Sequence, residues 1–229
     1  MSAAFFIAGT DTDVGKTTVA AGLLCAARRR GLSTAAGKPV ASGCVAGPDG
    51  LRNSDALALL AQCSLPLAYQ DVNPLALEPA IAPHLAAREV GLTLEVAGLL
   101  PPMQQLLARR ADFSLIEGAG GWRVPLSGGE HLSDLAIALG LPVILVVGVR
   151  LGCINHALLS AEAIACDGLP LAGWVANVVD PATSRLEDNL RTLEEQLAAP
   201  CLGCVPRLAE ARAEDVAGYL QLEPLLRAR

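Results

Sequence analysis

The chain has 229 residues, a formal net charge of −6 at pH 7 and only 3% aromatic residues. This length fits one large α/β domain or two small ones, and it is enough to bury a core without disulfides or a structural metal. An acidic chain with few aromatic residues lacks the basic surface and the stacking platforms that nucleic acids and anionic membranes need, so we expect neither as a partner.

Short apolar segments alternate with amphipathic segments along the chain. The apolar runs predict strands at residues 3–8, 33–38, 112–116, 141–147, 171–176 and 201–205. The amphipathic segments predict helices at residues 16–30, 53–62, 94–110, 155–166 and 183–198, and one that begins near residue 213. Prolines interrupt residues 65–91, where we expect an ordered excursion or loop on the substrate side of the sheet.

A glycine-rich loop, residues 9–17 (GTDTDVGKT), joins the first predicted strand to the first helix. Backbone N–H groups at the helix start can hold phosphate together with Lys16, and the Thr17 hydroxyl can bind Mg²⁺. Five residues separate Gly9 from Gly15, one more than in the common motif. Either Gly9 serves with a longer loop, or Thr10 takes the place of the first glycine.

The alternation of elements and this loop together indicate the fold class. They predict an α/β, P-loop NTPase-like three-layer fold in which helices flank a central, mostly parallel sheet. We expect residues 1–229 to form a single domain. Ligand-binding groups should then gather at the carboxyl ends of the strands.

Two lysines stand out, because Lys16 and Lys38 are the only lysines among the 17 basic residues. A lysine supplies a compact point charge, and Lys38 ends the second predicted strand, so both ammonium groups should reach one edge of the sheet. Two such charges suit phosphoryl transfer. The alternative for Lys38 is an ordinary surface lysine at a strand end.

Two carboxylates are candidate magnesium ligands together with Thr17. Glu117 directly follows an apolar strand, where an unpaired charge would be costly, and Asp55 opens a helix. For Asp55 the alternative role is compensation of the helix dipole. Asp11 and Asp13, within the phosphate loop, would repel phosphate unless they face a metal or an amine.

The seven cysteines form an odd number without a signal peptide, which is typical of reduced thiols in a cytoplasmic protein. Cys201 and Cys204 form a C-x-x-C motif, but no second ligand pair accompanies it. We therefore interpret these two residues as small buried apolar side chains at a strand end.

Motifs distributed over nearly the whole chain resemble the dethiobiotin synthetase family. In family order they are residues 9–17, 38–43, 53–55, 72–74, 83–84, 117–122, 151–156 and 173–177. The resemblance implies an ATP-dependent ligase that uses Mg²⁺. Such an enzyme carboxylates diaminopelargonic acid with CO₂, phosphorylates the carbamate with ATP and closes the ureido ring to give dethiobiotin, ADP and phosphate.

The resemblance also implies site residues, with Lys16 and Lys38 as the catalytic pair and Thr17, Asp55 and Glu117 as magnesium ligands. The ATP-binding residues implied are Asp13, Val14, Gly15, Lys16, Thr17, Thr18, Asp55, Glu117, Gly118, Ala119, Gly120, Asn177, Val205, Pro206, Arg207, Leu208 and Glu210. The substrate-binding residues implied are Thr12, Ser42, Gly152, Cys153, Ile154 and Asn155.

In the family the helix start at residues 152–155 comes from the partner subunit and receives the substrate's tail carboxylate, which implies a homodimer with shared sites. The alternative is an ordinary helix capped by Asn155, just as Asn177 has the alternative role of a strand-end cap. Two positions depart from the family pattern: Asn189, where some members have tyrosine, and Asp13, where many have glutamate.

Three other activities match part of this pattern. A switch ATPase of the MinD/ParA type needs an early loop lysine, where this chain has Thr10, Asp11 and Thr12, and often an amphipathic tail, which residues 221–229 do not form. A glutamine-dependent amidoligase needs an additional glutaminase domain. A kinase for a small acid leaves the motif at residues 38–43 unexplained.

Overall fold

The computed structural model describes residues 2–227. Its strands are β1 (Ala3–Gly9), β2 (Thr34–Gly37), β3 (Val40–Ala41), β4 (Val45–Gly47), β5 (Gly50–Arg52), β6 (Leu75–Ala76), β7 (Phe113–Glu117), β8 (Val143–Val149), β9 (Leu171–Val178) and β10 (Cys201–Val205). One six-stranded sheet has the order β10-β9-β8-β1-β7-β2, and every neighbouring pair in it is parallel. Two short pairs, β3 with β6 and β4 with β5, lie outside this sheet.

The helices cover both faces of the six-stranded sheet. They are α1 (Lys16–Arg29), α2 (Ser54–Ala61), α3 (Tyr69–Val72), α4 (Pro83–Glu89), α5 (Val96–Ala108), α6 (Leu132–Leu139), α7 (Cys153–Cys166), α8 (Leu186–Gln196), α9 (Ala213–Val216) and α10 (Glu223–Arg227). Apolar residues of α1, α2, α9 and α10 pack on one face, and those of α5 to α8 pack on the other. The predicted three-layer α/β fold is confirmed.

The side chains of β1 show why apolar runs become central strands here. Phe5 and Ile7 belong to the core beneath α1, whereas Phe6 and Ala8 belong to the core beneath α5 to α7. Because successive side chains of a strand point to opposite faces, a strand covered on both faces needs an apolar residue at every position. All seven residues of β8 are accordingly buried.

Several elements depart from the sequence predictions. Helix α6 was not predicted, although His131 precedes it with its N–H bonded to Asp134 and Gly140 ends it in the left-handed region. The excursion at residues 65–91 contains the short elements α3, β6 and α4. The prediction that Cys201 and Cys204 are buried is wrong: both are half-buried, because β10 is an edge strand with one neighbour only.

The strand order places the ends of several strands together. β1 lies between β7 and β8, so the chain leaves β1 and later returns on either side of it. At such a point the loops beyond the carboxyl ends of parallel strands separate and leave a crevice. The loops that follow β1, β2, β7, β9 and β10 therefore open toward one edge of the sheet.

The C-terminal tail considered above, residues 221–229, is described as far as residue 227, and its last two residues lie outside the described part of the chain. Within that part it forms only the short helix α10. None of the helices formed by residues 2–227 has the length and apolar character needed to span a bilayer.

The approach of Tyr219 to β10 gives a test of the packing at this edge. Gly203 has a φ of +145°, and a Cβ built on it would lie 1.9 Å from the Tyr219 carbonyl oxygen. We expect Gly203→Ala to lower the free energy of unfolding by about 3 kcal/mol, from backbone strain and overpacking. Urea denaturation measures this change.

The matched control is Gly98→Ala in α5. A Cβ there meets no atom within 4 Å, and the residue is exposed. This variant should gain up to about 0.5–1 kcal/mol, because alanine restricts the unfolded chain more than glycine does. Equal effects of the two substitutions would contradict the packing described for Gly203.

Candidate functional site

The loop between β1 and α1 has the backbone shape of a phosphate-binding loop. Gly15, at the N-cap of α1, lies in the left-handed region with φ 83°. A Cβ on Gly9 would approach the Val14 Cγ2 atom to 2.8 Å, so the loop requires glycine at this end of β1. This contact favours the first alternative from the sequence, a longer loop that begins at Gly9.

Lys16 folds back over this loop. Its Nζ atom donates a hydrogen bond to the Asp11 carbonyl oxygen at 3.1 Å. The side chain is largely buried, and burial lowers the pKa of Lys16 below its ordinary value of 10.5, with the charge of Lys38 acting in the same direction. The carboxylates of Glu117, Asp55 and Asp13 partly oppose this shift.

Lys38 lies between two carboxylates at the end of β2. Its Nζ atom is 2.6 Å from Glu117 Oε1 and 3.0 Å from Asp55 Oδ2. Lys38 is 4% exposed, and burial alone would lower its pKa, but the attraction of Glu117 and Asp55 outweighs burial and raises the pKa. The ammonium group therefore stays charged, and it partly neutralises both carboxylates.

Glu117 is the most buried of the acidic groups at this edge. It ends β7 with a side chain that solvent does not reach, and its Oε1 atom also accepts a hydrogen bond from the Thr17 hydroxyl at 2.8 Å. Its second oxygen, Oε2, is buried and has no hydrogen-bond partner among the described residues. A buried carboxylate oxygen without a partner is costly, which indicates that the site is built to receive a cation or donor there.

The start of α2 carries Asp55 to the site. Asn53 caps this helix, because its side-chain oxygen accepts the N–H groups of Asp55 at 3.0 Å and Ala56 at 3.2 Å. The Asp55 side chain is itself partly exposed toward the crevice. Asp55 lies in the first turn of α2, where the helix-dipole role was predicted, and it also pairs with Lys38; its role as a magnesium ligand stays a prediction.

These groups line one cavity of about 910 Å³ at the carboxyl edge of the sheet. Most of the predicted site residues line it: Thr12, Asp13, Gly15, Lys16, Thr17, Thr18, Lys38, Ser42, Asp55, Glu117, Ala119, Gly120, Asn177, Val205, Pro206, Arg207 and Leu208. A cavity of this size can hold a nucleotide and a small substrate together.

Three predicted ATP-binding residues do not line the cavity. The Val14 side chain is buried beneath the loop, where it packs against Gly148. Gly118 packs against Phe6, so it faces the core of the sheet. Glu210 is exposed and forms an ion pair with Arg212.

Asn177 extends from β9 across the phosphate loop. Its Nδ2 atom donates a hydrogen bond to the Val14 carbonyl oxygen at 2.8 Å. A Cβ on Gly15 would lie 2.2 Å from this same nitrogen, so the amide lies directly on the loop. This bond uses one of the two N–H groups of the amide, so the second N–H and the amide oxygen can both recognise a base edge.

The sequence did not identify part of the cavity wall. Residues 80–83, at the start of α4, and residues 123–125, after the glycine-rich loop that follows β7, also line it. Arg123 pairs with Asp167 at 2.6 Å, which fixes that second segment against the end of α7. The prolines at 79 and 83 predicted an ordered excursion or loop on the substrate side of the sheet, and residues 80–83 do line the cavity, but the sequence did not single out these residues.

The predicted substrate residues at the start of α7 lie apart from this cavity. Gly152, Cys153, Ile154 and Asn155 do not line it, and the adjacent Leu151 is 97% exposed. The same segment is nevertheless attached to the phosphate loop, since Arg150 pairs with Asp11 at 2.6 Å. Asp11 thus faces a cation of the protein, and it does not point its charge at phosphate.

The chain resembles known proteins over nearly its whole length. A family model described as an AAA domain matches residues 3–215. An ATP-dependent dethiobiotin synthetase of Pseudomonas paraeruginosa is 72% identical over 97% of the chain and 97% of its own length. The corresponding protein of Cellvibrio japonicus is 60% identical over 98% of each.

Among solved structures, a ParA family ATPase from Chlorobium tepidum matches with a TM-score of 0.53 at 14% identity. The match covers 100% of the chain and 95% of that protein. At this identity the likeness shows the fold alone. Similarity of fold to a ParA family ATPase therefore does not identify the activity. The relatives at 60–72% identity do identify the family.

The fold, the loop with Lys16 and the carboxylate at the end of β7 define a P-loop nucleotide-binding enzyme. Within that class the chain belongs to the ATP-dependent dethiobiotin synthetase family. The predicted family and enzyme class, an ATP-dependent ligase of biotin biosynthesis, are confirmed. Enzymes of this family act on small molecules and ATP.

The contact of Lys38 with Glu117 leads to a prediction about stability. Lys38→Met would leave a buried carboxylate without its cation, which should lower the free energy of unfolding by about 3–5 kcal/mol. Arg212→Met, in the exposed pair with Glu210, is the control and should cost less than about 1 kcal/mol. Urea denaturation of both variants measures the difference.

The pH dependence follows from the raised pKa of Lys38. A basic group with a raised pKa contributes stability that is present below its unfolded-state pKa and is lost as pH rises through the folded-state value. The loss in free energy of unfolding caused by Lys38→Met should therefore be constant through the neutral pH range and become smaller only in strong alkali. Adding Glu117→Gln to Lys38→Met should recover part of the loss, and no recovery would contradict the pairing.

Proposed function

We propose that this cavity binds Mg²⁺-ATP and diaminopelargonic acid together, and that residues 1–229 carry out dethiobiotin synthesis as a single domain. The observation that carries the proposal is the convergence of Lys16, Lys38, Asp55 and Glu117 on one cavity at the carboxyl edge of the sheet. Cations and metal-binding oxygens at one place are what phosphoryl transfer to an acid requires.

The phosphate end of ATP would lie on the loop of residues 9–17. The backbone at the start of α1 and the Lys16 ammonium would hold the phosphates. The base would lie between Asn177 and residues 205–208, where the free amide oxygen of Asn177 can accept a hydrogen bond from an exocyclic amino group.

The side chains at the end of β7 fit a magnesium ion. Glu117 Oε2 is a buried oxygen without a partner, and the Thr17 hydroxyl and the Asp55 carboxylate lie beside the same group. No cluster of three or more acidic, histidine or cysteine side chains forms a closed metal cage in residues 2–227. Magnesium suits such a site, because it binds one or two carboxylates and completes its shell with phosphate oxygens and water.

The chemistry proceeds in three steps. One amine of the substrate attacks CO₂ and loses a proton, which gives a carbamate. A carbamate oxygen attacks the γ-phosphorus of ATP, and ADP leaves. The second amine then attacks the carbonyl carbon of the mixed anhydride and loses a proton, phosphate leaves, and the ureido ring closes.

The residues of this chain have distinct parts in these steps. Lys38 and Lys16 would stabilise the negative charge on the carbamate and on the transferring phosphoryl group. Thr12 and Ser42 line the cavity next to them and would orient the diamine. Bound Mg²⁺ would neutralise phosphate charge and be held by Thr17, Asp55 and Glu117.

The exposed start of α7 supports a homodimer. Gly152 caps this helix, which runs from Cys153 to Cys166, and helix N-termini attract carboxylates. In one chain this start lies apart from the cavity, and the fully exposed Leu151 beside it is suited to an interface. We therefore infer that the partner's helix start completes each site, in a cytoplasmic protein whose described cysteines are all unpaired.

A substrate-dependence experiment tests the proposed activity. Phosphate release from ATP should require diaminopelargonate and bicarbonate together, because the acceptor for the phosphoryl group forms only from both. A coupled phosphate assay with each substrate omitted in turn measures this. Turnover that is independent of the diamine, or that depends on a lipid or a protein partner, would count against the synthetase reaction.

Complementation between inactive subunits tests the shared site. Lys38→Ala disables the cavity, and Asn155→Asp places a carboxylate where the tail carboxylate should bind. In a mixed dimer one site has an intact cavity and an intact helix start, so the mixture should recover roughly a quarter of wild-type activity.

The control for this experiment mixes Lys38→Ala with Glu117→Gln. Both changes lie in the same cavity, so no mixed dimer holds an intact site and no activity should return. If the first pair behaves like this control, the helix start does not act across an interface.

A further inference from the structure

A chain of hydrogen bonds runs behind the cavity wall and joins the segments that carry Lys38 and Asp55. The Tyr69 hydroxyl is its centre. This oxygen accepts the Asn53 backbone N–H at 2.8 Å and donates to Asn73 Oδ1 at 2.9 Å. One side chain outside the cavity thereby connects two segments that contribute to it.

On one side the chain reaches Lys38. The Asn73 amide donates to the Lys38 carbonyl oxygen at 2.8 Å and to the Leu75 carbonyl oxygen at 3.1 Å. Lys38 N–H in turn donates to the Val72 carbonyl oxygen at 2.7 Å. Asn73 is buried, so these bonds are shielded from water and fix the backbone from which the Lys38 side chain projects.

On the other side the chain reaches Asp55. Asn53 caps α2 and so fixes the N–H of Asp55, and its own amide donates to the Ser42 carbonyl oxygen at 3.3 Å. The Tyr69 hydroxyl fixes the Asn53 backbone by accepting its N–H. Three cavity-lining residues, Lys38, Ser42 and Asp55, therefore depend on one continuous set of bonds.

We infer that Tyr69 is a positioning residue, which holds the Lys38 segment and the start of α2 at the separation that lets the Lys38 ammonium and the Asp55 carboxylate share one metal-nucleotide. The inference rests on the function proposed above for those two residues. Tyr69 itself touches neither the nucleotide loop nor the cavity.

The surroundings of Tyr69 suit this role. The Arg52 guanidinium lies over the ring at 4.3 Å from its centroid, which holds the ring in place independently of the hydroxyl. Burial raises the pKa of Tyr69, so the phenol keeps the proton that it donates to Asn73. Removing the hydroxyl alone should therefore leave the ring in position and break only its hydrogen bonds to Asn53 and Asn73.

The test is Tyr69→Phe, compared with Tyr219→Phe. Tyr219 is the only other tyrosine, and it is 44% exposed and does not line the cavity. Three quantities are measured for each: kcat in the phosphate-release assay, the affinity for Mn²⁺-ATP by electron paramagnetic resonance, and the affinity for ATP without metal by calorimetry. A thermal melt checks the fold.

For Tyr69→Phe we expect kcat and Mn²⁺-ATP affinity each to fall by about tenfold, the effect of one misplaced charged group. Metal-free ATP affinity should stay within about twofold, because the phosphate loop does not take part in the chain of bonds. Tyr219→Phe should match wild type in all three. A loss of Mn²⁺-ATP affinity without a loss of metal-free ATP affinity distinguishes positioning from a general loosening of the fold. General loosening would lower both affinities equally.

Wild-type values for Tyr69→Phe, or an equal loss of both affinities, would overturn the inference. If Tyr69→Phe does not fold, Asn73→Ser removes the amide that bonds to Tyr69 and to the Lys38 carbonyl oxygen. The same comparison of Mn²⁺-ATP and metal-free ATP affinities then applies to this variant. The measurement of Mn²⁺-ATP affinity needs no diamine, so it tests the role of Tyr69 independently of turnover. An absence of diamine-dependent turnover in wild type would instead contradict the proposed activity.

Discussion

A carboxylate at the end of a central strand must have a cation beside it, and in this protein that requirement links the site to the fold. Glu117 ends β7 in a position that water does not reach, and Lys38 directly follows the neighbouring strand β2 with its ammonium 2.6 Å away. Burying either charge alone would cost several kcal/mol, whereas together they form a site with one carboxylate oxygen still unsatisfied. The pair is therefore stable within the core, and Glu117 Oε2 can still accept a cation or a hydrogen-bond donor.

The rest of the site follows from parallel topology. Because all six strands of the sheet point the same way, the residues that follow β1, β2, β7, β9 and β10 meet at one edge although they are far apart in the chain. Thr17 and Glu117 are 100 residues apart yet share a hydrogen bond. A ParA family ATPase shares this fold.

Two connections hold these loops in relation to one another. The chain of bonds through Tyr69 and Asn73 lies behind Lys38 and the start of α2. The pair between Asp11 and Arg150 attaches the phosphate loop to the exposed start of α7. A catalytic arrangement of charges is effective only when its members are fixed before the substrate arrives, and such supporting contacts supply that rigidity.

Local features of the sequence determined the six strands of the sheet and the phosphate loop and singled out Lys16, Lys38 and Glu117 as candidates. Apolar runs, glycine spacing and a rare residue type are all recognisable over a few neighbouring positions. Helix α6 was not predicted, whereas α2 of the same length was, because Asn53 is a preferred N-cap residue and the N-cap of α6 is His131. Only the tertiary structure decided that Lys38 lies between two carboxylates, that the Tyr69 hydroxyl bonds to both Asn53 and Asn73, and that residues 80–83 form a wall of the cavity. These are contacts between distant segments, such as Lys38 and Glu117 at 79 residues' separation, and strand order sets them.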